Sequence, residues 1–142
     1  MGAVLAAQRA WVYPARMHRL WIALGALAGL AAVALSAWSA HAAPGVLDPF
    51  RLAMLHTALE MLGWHGLALL GTGLWAQRRG GRLAHLAAGA LALGVLLFSG
   101  AMVTRALAGV SLGLVAPAGG MLMLIGWALL ALSAVVPPRS EP

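Results

Sequence analysis

LAHLAAGALALGVLLFSGAMVT, residues Leu83 to Thr104, is a run of twenty-two residues with a single ionisable side chain, His85, near one end. An apolar run of about 20 residues is what an α-helix needs to cross the hydrocarbon core of a bilayer. Three more runs of this kind lie outward from it: LWIALGALAGLAAVALSAWSA from Leu20 to Ala40, MLHTALEMLGWHGLALLGTGLW from Met54 to Trp75, and LGLVAPAGGMLMLIGWALLALSAVV from Leu112 to Val136. The second is the least pure, with His56, Glu60 and His65 inside it. The runs are continuous, whereas the strands of a membrane barrel alternate apolar with polar. Backbone groups in lipid must be satisfied within their own segment, so each run is predicted to be a helix.

The rest of the composition agrees. The chain has 142 residues, 63% hydrophobic and only 8% charged, against roughly 25% charged in a soluble domain. Four spans leave room for short loops and no separate soluble domain. The expected fold is all-α, an integral membrane four-helix bundle with helices near 20–40, 54–75, 83–104 and 112–136 in one domain, 17–138. A cytoplasmic extension, 1–16, precedes it and a short tail, 139–142, follows. With no cysteine there is neither a disulfide nor a thiolate metal site. The formal charge of +6 comes from arginines, which suit helix ends at an anionic membrane face. The bilayer and other membrane subunits are the expected partners, with no nucleic acid. An all-arginine basic set in an Ala/Gly/Leu-rich chain suits a GC-rich bacterial genome, and the expected location is the bacterial cytoplasmic (inner) membrane.

Boundary chemistry refines the spans. Asp48-Pro49 reads as an N-cap followed by proline at the first helical position, Gly80-Gly81 as a tight turn between helices two and three, and Pro137-Pro138 as the stop of helix four. Arg9, Arg16, Arg19, Arg78, Arg79, Arg82 and Arg139 share one side if the helices alternate, against Arg51 and Arg105 on the other. The positive-inside rule then predicts both termini on the cytoplasmic side. A rival reading makes Arg16 to Ala42 a signal peptide, with Ala40-His41-Ala42 as its cleavage motif. Against it, Gly25, Gly29, Ala32 and Ser36 form one small-residue stripe of the kind that lets helix backbones approach in lipid, so helix one is expected to be retained.

Four further motifs occur in order. Ser39-Ala40-His41 with Leu47-Asp48-Pro49 closes helix one and opens helix two, and Trp64-His65-Gly66-Leu67-Ala68-Leu69-Leu70 lies in helix two. Leu97-Phe98-Ser99-Gly100 lies in helix three, and Pro117-Ala118-Gly119-Gly120 with Gly126-Trp127 in helix four. In these features the chain from about Met17 to Val136 resembles the YgdD-like (YwdK-like) family of small four-helix membrane proteins, a domain of unknown function. The resemblance implies the four-helix architecture and makes residues 1–16 an extension, with Met17 a candidate start. It implies no activity. The chain departs from the family at Glu60-Met61-Leu62, where relatives often carry a basic residue and then Tyr-Gln.

Ionisable groups inside a bilayer cost energy and so mark candidate sites. Glu60 is the chief one, with His56 one turn earlier on the same face. Counted by depth, Glu60, Ser99 and the outer-end His41 fall in the same half of the bundle. An outward-opening polar pocket of Glu60, His56, Ser99 and His41 is therefore expected, its alternative being close glycine packing with hydroxyls bonded to backbone. His65, near the midplane, is a candidate ligand or hydrogen-bonding residue. It lies on nearly the opposite face from His56, so one helix cannot grip a metal with both. A bis-histidine haem or metal site would need His41 with His56 or His65. Against it, lone histidines in membrane helices more often bond a carbonyl or hydroxyl across an interface, so no metal or cofactor is expected. Gly25, Gly29, Gly100, Pro117, Gly119, Gly120 and Gly126 are read as helix-packing positions. Trp64 and Trp127 are expected to fill the bundle, and Trp21, Trp38 and Trp75 to anchor at the interfaces. His18 and His85 are expected to be solvated. No nucleophile–base pair or phosphate loop is present, so the expected role is non-catalytic: an accessory or assembly component, with a small carrier or ligand-binding protein as the alternative.

Overall fold

The computed structural model describes residues 17–79 and 81–136. Within them the chain forms four α-helices and no strand: α1 Met17–His41, α2 Pro49–Arg79, α3 Arg82–Ala108 and α4 Val115–Val135. A 3-10 turn at Ala43–Gly45 joins the first two. The extension 1–16, Gly80, Pro137-Pro138 and the tail lie outside the described residues, and with them Arg9, Arg16 and Arg139.

Helices α1, α3 and α4 are each long and apolar enough to cross a membrane. Helix α2 falls short of that measure because its run carries His56, Glu60 and His65. It nevertheless packs antiparallel along both α1 and α3, so any slab that they span it spans too. Every helix except α4 extends beyond its apolar run. At 31 residues α2 is ~46 Å long, half as long again as a ~30 Å hydrocarbon core. The apolar runs mark the hydrocarbon segment, and the polar ends continue the helices into the headgroup layers.

The helix ends are built as their residues dictate. Asp48 Oδ1 accepts the backbone N–H of Arg51 at 3.0 Å, an N-cap that satisfies one of the orphan donors of α2. Gly109 closes α3 in the left-handed conformation, φ +72°, its N–H donating to the Arg105 carbonyl at 3.0 Å. Pro117 falls in the first turn of α4, where a missing N–H costs nothing. It therefore sets the start of α4 and does not kink it.

Close packing is made by glycines. A Cβ on Gly25 of α1 would stand 2.7 Å from the Gly66 carbonyl oxygen of α2, and one on Gly73 3.1 Å from that of His18. Across the α3–α4 seam, a Cβ on Gly119 would meet Phe98 N at 2.5 Å, and one on Gly126 the Leu91 side chain at 2.7 Å. Glycine lets two backbones touch, which is how helices associate where lipid removes the hydrophobic drive. Nothing lies within 4 Å of a Cβ at three of the expected packing glycines, Gly29, Gly100 and Gly120, although the Gly29 backbone N would stand 3.2 Å from a Cβ on Gly66. Gly66, Gly73 and Gly94 make contacts the sequence did not single out.

The helices do not close into a square. Neighbours in sequence pack along their lengths, and α1 also reaches α3, but α1 and α4 share no packed interface. Helices α2 and α3 form the centre, with α1 and α4 flanking them, and the flanking helices turn most of their apolar surface outward. Side chains such as Leu30, Val33, Leu124 and Val135 are exposed there, as lipid contact requires.

Candidate functional site

The described polar side chains divide into an engaged inner set and an outward set. Ser99 on α3 is buried, 4% exposed, and its hydroxyl donates to the Ala58 carbonyl of α2 at 2.9 Å. It is a staple between the two central helices. His65, 6% exposed, lies halfway along α2 and bridges to α4: the Trp127 indole N–H points to its Nε2 at 3.2 Å, and its Nδ1 stands 2.8 Å from the Met61 carbonyl oxygen. An indole nitrogen only donates. Nε2 must therefore accept, which places the proton on Nδ1, donating to Met61. Both ring nitrogens are in use, and the two rings meet edge to face, with centroids 6.1 Å apart.

A second bridge of the same chemistry stands at the arginine-rich end. Trp21 Nε1 on α1 donates to His85 Nδ1 on α3 at 2.9 Å, and both side chains are buried. This corrects the expectation of an interfacial anchor beside a solvated histidine. The sequence signal that pointed to it was weak: both residues begin their helices on the same side, and depth alone does not pair them. Trp75 is partly buried and carries the Arg79 guanidinium over its ring at 5.0 Å.

Glu60 and His56 belong to the outward set. Both are exposed, on a face of α2 turned away from α1 and α3. Neither makes a hydrogen bond or ion pair among the described residues. Thr57 and Trp64 share that face, Trp64 being 63% exposed where it was expected to fill the bundle. Trp127, 46% exposed, is half outward despite its bond to His65. His41 ends α1, also exposed. The expected pocket of Glu60, His56, Ser99 and His41 is therefore not assembled. Glu60 lies two residues past Ala58, a rotation of about 200°, so the helix that receives Ser99 on one side carries its carboxylate on the other. The small residues decide which side is inward: Gly66 and Gly73 let α1 approach, and Ala58 admits α3.

Depth makes the outward carboxylate notable. If Gln77, Arg78 and Arg79 stay in the polar layer, a ~30 Å core reaches from Ala76 to about His56. Glu60 then lies ~6 Å inside the edge, and any tilt of α2 takes it deeper. Outward positions on the other helices, such as Leu93 and Leu96 of α3 or Leu124 and Ile125 of α4, are apolar. Among the described residues no group of three or more His, Asp or Glu side chains is placed to hold a metal ion.

The His65–Trp127 bridge can be weighed on its own. Phenylalanine at Trp127 keeps a ring and removes the donor, and leucine at His65 removes the acceptor. A double-mutant cycle of H65L and W127F, read from the midpoint of detergent-induced unfolding, is expected to give a coupling of ~0.6 to ~1.7 kcal/mol, as for hydrogen bonds between membrane helices. A coupling of zero would mean that the two rings touch without bonding.

Relatives place the chain. The family model described as "Protein of unknown function (DUF423)" matches residues 35–120. The UPF0382 inner membrane protein YgdD of Escherichia coli (strain K12) is 35% identical over 118 residues, covering 82% of this chain and 90% of the relative. A UPF0382 membrane protein of Haemophilus influenzae is 35% identical over 116 residues, 81% and 93% of the two chains. The UPF0382 membrane protein YwdK of Bacillus subtilis is 32% identical over 119 residues, 82% and 97%. No solved structure matches. The family model and the long matches with these relatives establish that the chain belongs to the DUF423 (UPF0382) family, and its long apolar helices are those of a multi-pass protein of the bacterial inner membrane.

Proposed function

We propose that this protein is a non-catalytic component of the inner membrane that works by assembling with other protein in the plane of the bilayer, both termini facing the cytoplasm. The observation that carries this reading is the division of its polar groups. Among the described residues no buried side-chain nitrogen or oxygen lacks a partner. His65, Ser99, Trp21 and His85 hold helices together, and Thr72 bonds back to the Ala68 carbonyl of its own helix at 2.7 Å. What is left over, Glu60 with His56, faces outward at hydrocarbon depth. A carboxylate in the hydrocarbon layer is costly, up to ~2.5–3.5 kcal/mol at the bilayer centre on insertion scales and less toward the edge, unless something polar covers it.

Purification in a mild detergent at native expression tests the proposal. A stoichiometric complex larger than one chain is expected, and E60L should weaken it. A lone chain whose liposomes pass protons or a solute, with E60Q abolishing the flux, would favour a carrier instead. The i, i+4 spacing of His56 and Glu60 is the feature that would serve such a carrier.

A further inference from the structure

We infer that the cover over the outward face of α2 is a second copy of this chain, joined through a two-fold axis along the membrane normal. The inference rests on the assembly reading and names its partner. Ala53, His56, Thr57, Glu60, Trp64, Leu67 and Gly71 are all exposed on this face. A second copy inserted in the same direction presents the same stripe at the same depth, so polar meets polar and apolar meets apolar without adjustment.

The chemistry is self-complementary. A carboxylate accepts, and an imidazole N–H donates. In an isologous contact each member of a pair meets the other twice, Glu60 of one copy to His56 of the second and the reverse. His56 and Glu60 lie one turn apart, ~6 Å along the axis, so each pair runs diagonally between the two copies. The backbone favours the same approach. Nothing lies within 4 Å of a Cβ at Gly71, an exposed glycine mid-helix. Glycine there destabilises α2 by ~1 kcal/mol relative to alanine and meets no close neighbour among the described residues, whereas small residues on a shared face let two helices close.

The natural sequence has no cysteine, so single cysteines can be placed at will. In membranes at native expression, oxidation of A53C and of L67C is expected to give a band of twice the chain mass. L96C on α3 and L124C on α4, equally outward, should not. In the L67C background E60L should reduce the doubled band on the order of tenfold, the equivalent of the two interhelical hydrogen bonds that the symmetric pair loses, while E60Q, which still hydrogen-bonds, should largely retain it. Unchanged helical circular dichroism would separate loss of pairing from loss of folding. Doubled bands of equal strength at all four cysteines, or a doubled band indifferent to E60L and H56L, would overturn the inference. An adduct of another mass at residues 53 and 67 would overturn it too and leave the assembly reading standing. A chain that forms no adduct and purifies alone would sink both.

Discussion

Leucine in place of Gly119 should unfold the α3–α4 hairpin or cost more than ~3 kcal/mol, the upper end of ordinary overpacking, while the same change at Gly120 should be close to neutral. The two positions are adjacent on one helix and equal in propensity, so only the neighbour differs. At Gly119 the first added carbon would stand 2.5 Å from Phe98 N and 2.7 Å from the Gly94 carbonyl oxygen. Those are backbone atoms of α3 and cannot rotate aside. Gly94 returns the contact, since a Cβ there would lie 2.9 Å from the Gly119 carbonyl oxygen and 2.8 Å from Met123 N. At Gly120 nothing lies within 4 Å. Alanine at Gly119 should already lower the midpoint of detergent-induced unfolding, and equal effects at 119 and 120 would contradict the seam.

The second large effect is expected on the other hairpin. A Cβ at Gly25 would meet the Gly66 carbonyl oxygen at 2.7 Å and Leu70 N at 2.9 Å, while one at Gly29 would meet nothing within 4 Å. Leucine at residue 25 should therefore separate α1 from α2 and destabilise by at least ~1–3 kcal/mol, and leucine at residue 29 should be tolerated. The comparison also settles the fate of α1. If Leu20 to Ala40 were cleaved as a signal peptide, neither change would alter the mature protein. A midpoint that falls with G25L and holds with G29L requires α1 to be part of the folded molecule.

The same glycines show what could be read from the sequence and what could not. Four apolar runs give the number and order of helices, and Asp48-Pro49 gives the start of α2, because a cap is a local hydrogen bond between neighbours. Depth is legible too, at 1.5 Å for each residue. Azimuth is not. Helices α3 and α4 are apolar on nearly every side, so no amphipathic stripe marks the face that turns inward. The inward face is chosen by which glycine finds a facing backbone, as Gly25 finds Gly66 and Gly119 finds Phe98. Gly100 and Gly120 have the same composition signal and no such partner, and Gly29 offers α2 its backbone while its own Cβ direction is open. Hence depth placed Glu60 and Ser99 together while rotation placed them on opposite sides of α2. Trp21 and His85 escaped for the same reason, each at a helix start and each turned inward by the packing of α1 on α3.

A spin-label scan along α2 tests most directly that its polar face is outward. Single labels from Ala53 to Trp64 on the cysteine-free chain, in a detergent that holds it as a monomer, report mobility and oxygen access position by position. The account predicts mobile, accessible labels at 53, 56, 57, 60 and 64, and immobile, shielded labels at 54, 55, 58 and 59, in phase with the burial of α2. A scan with the opposite phase, shielded at 56 and 60 and open at 58 and 59, would return Glu60 to the interior and contradict it.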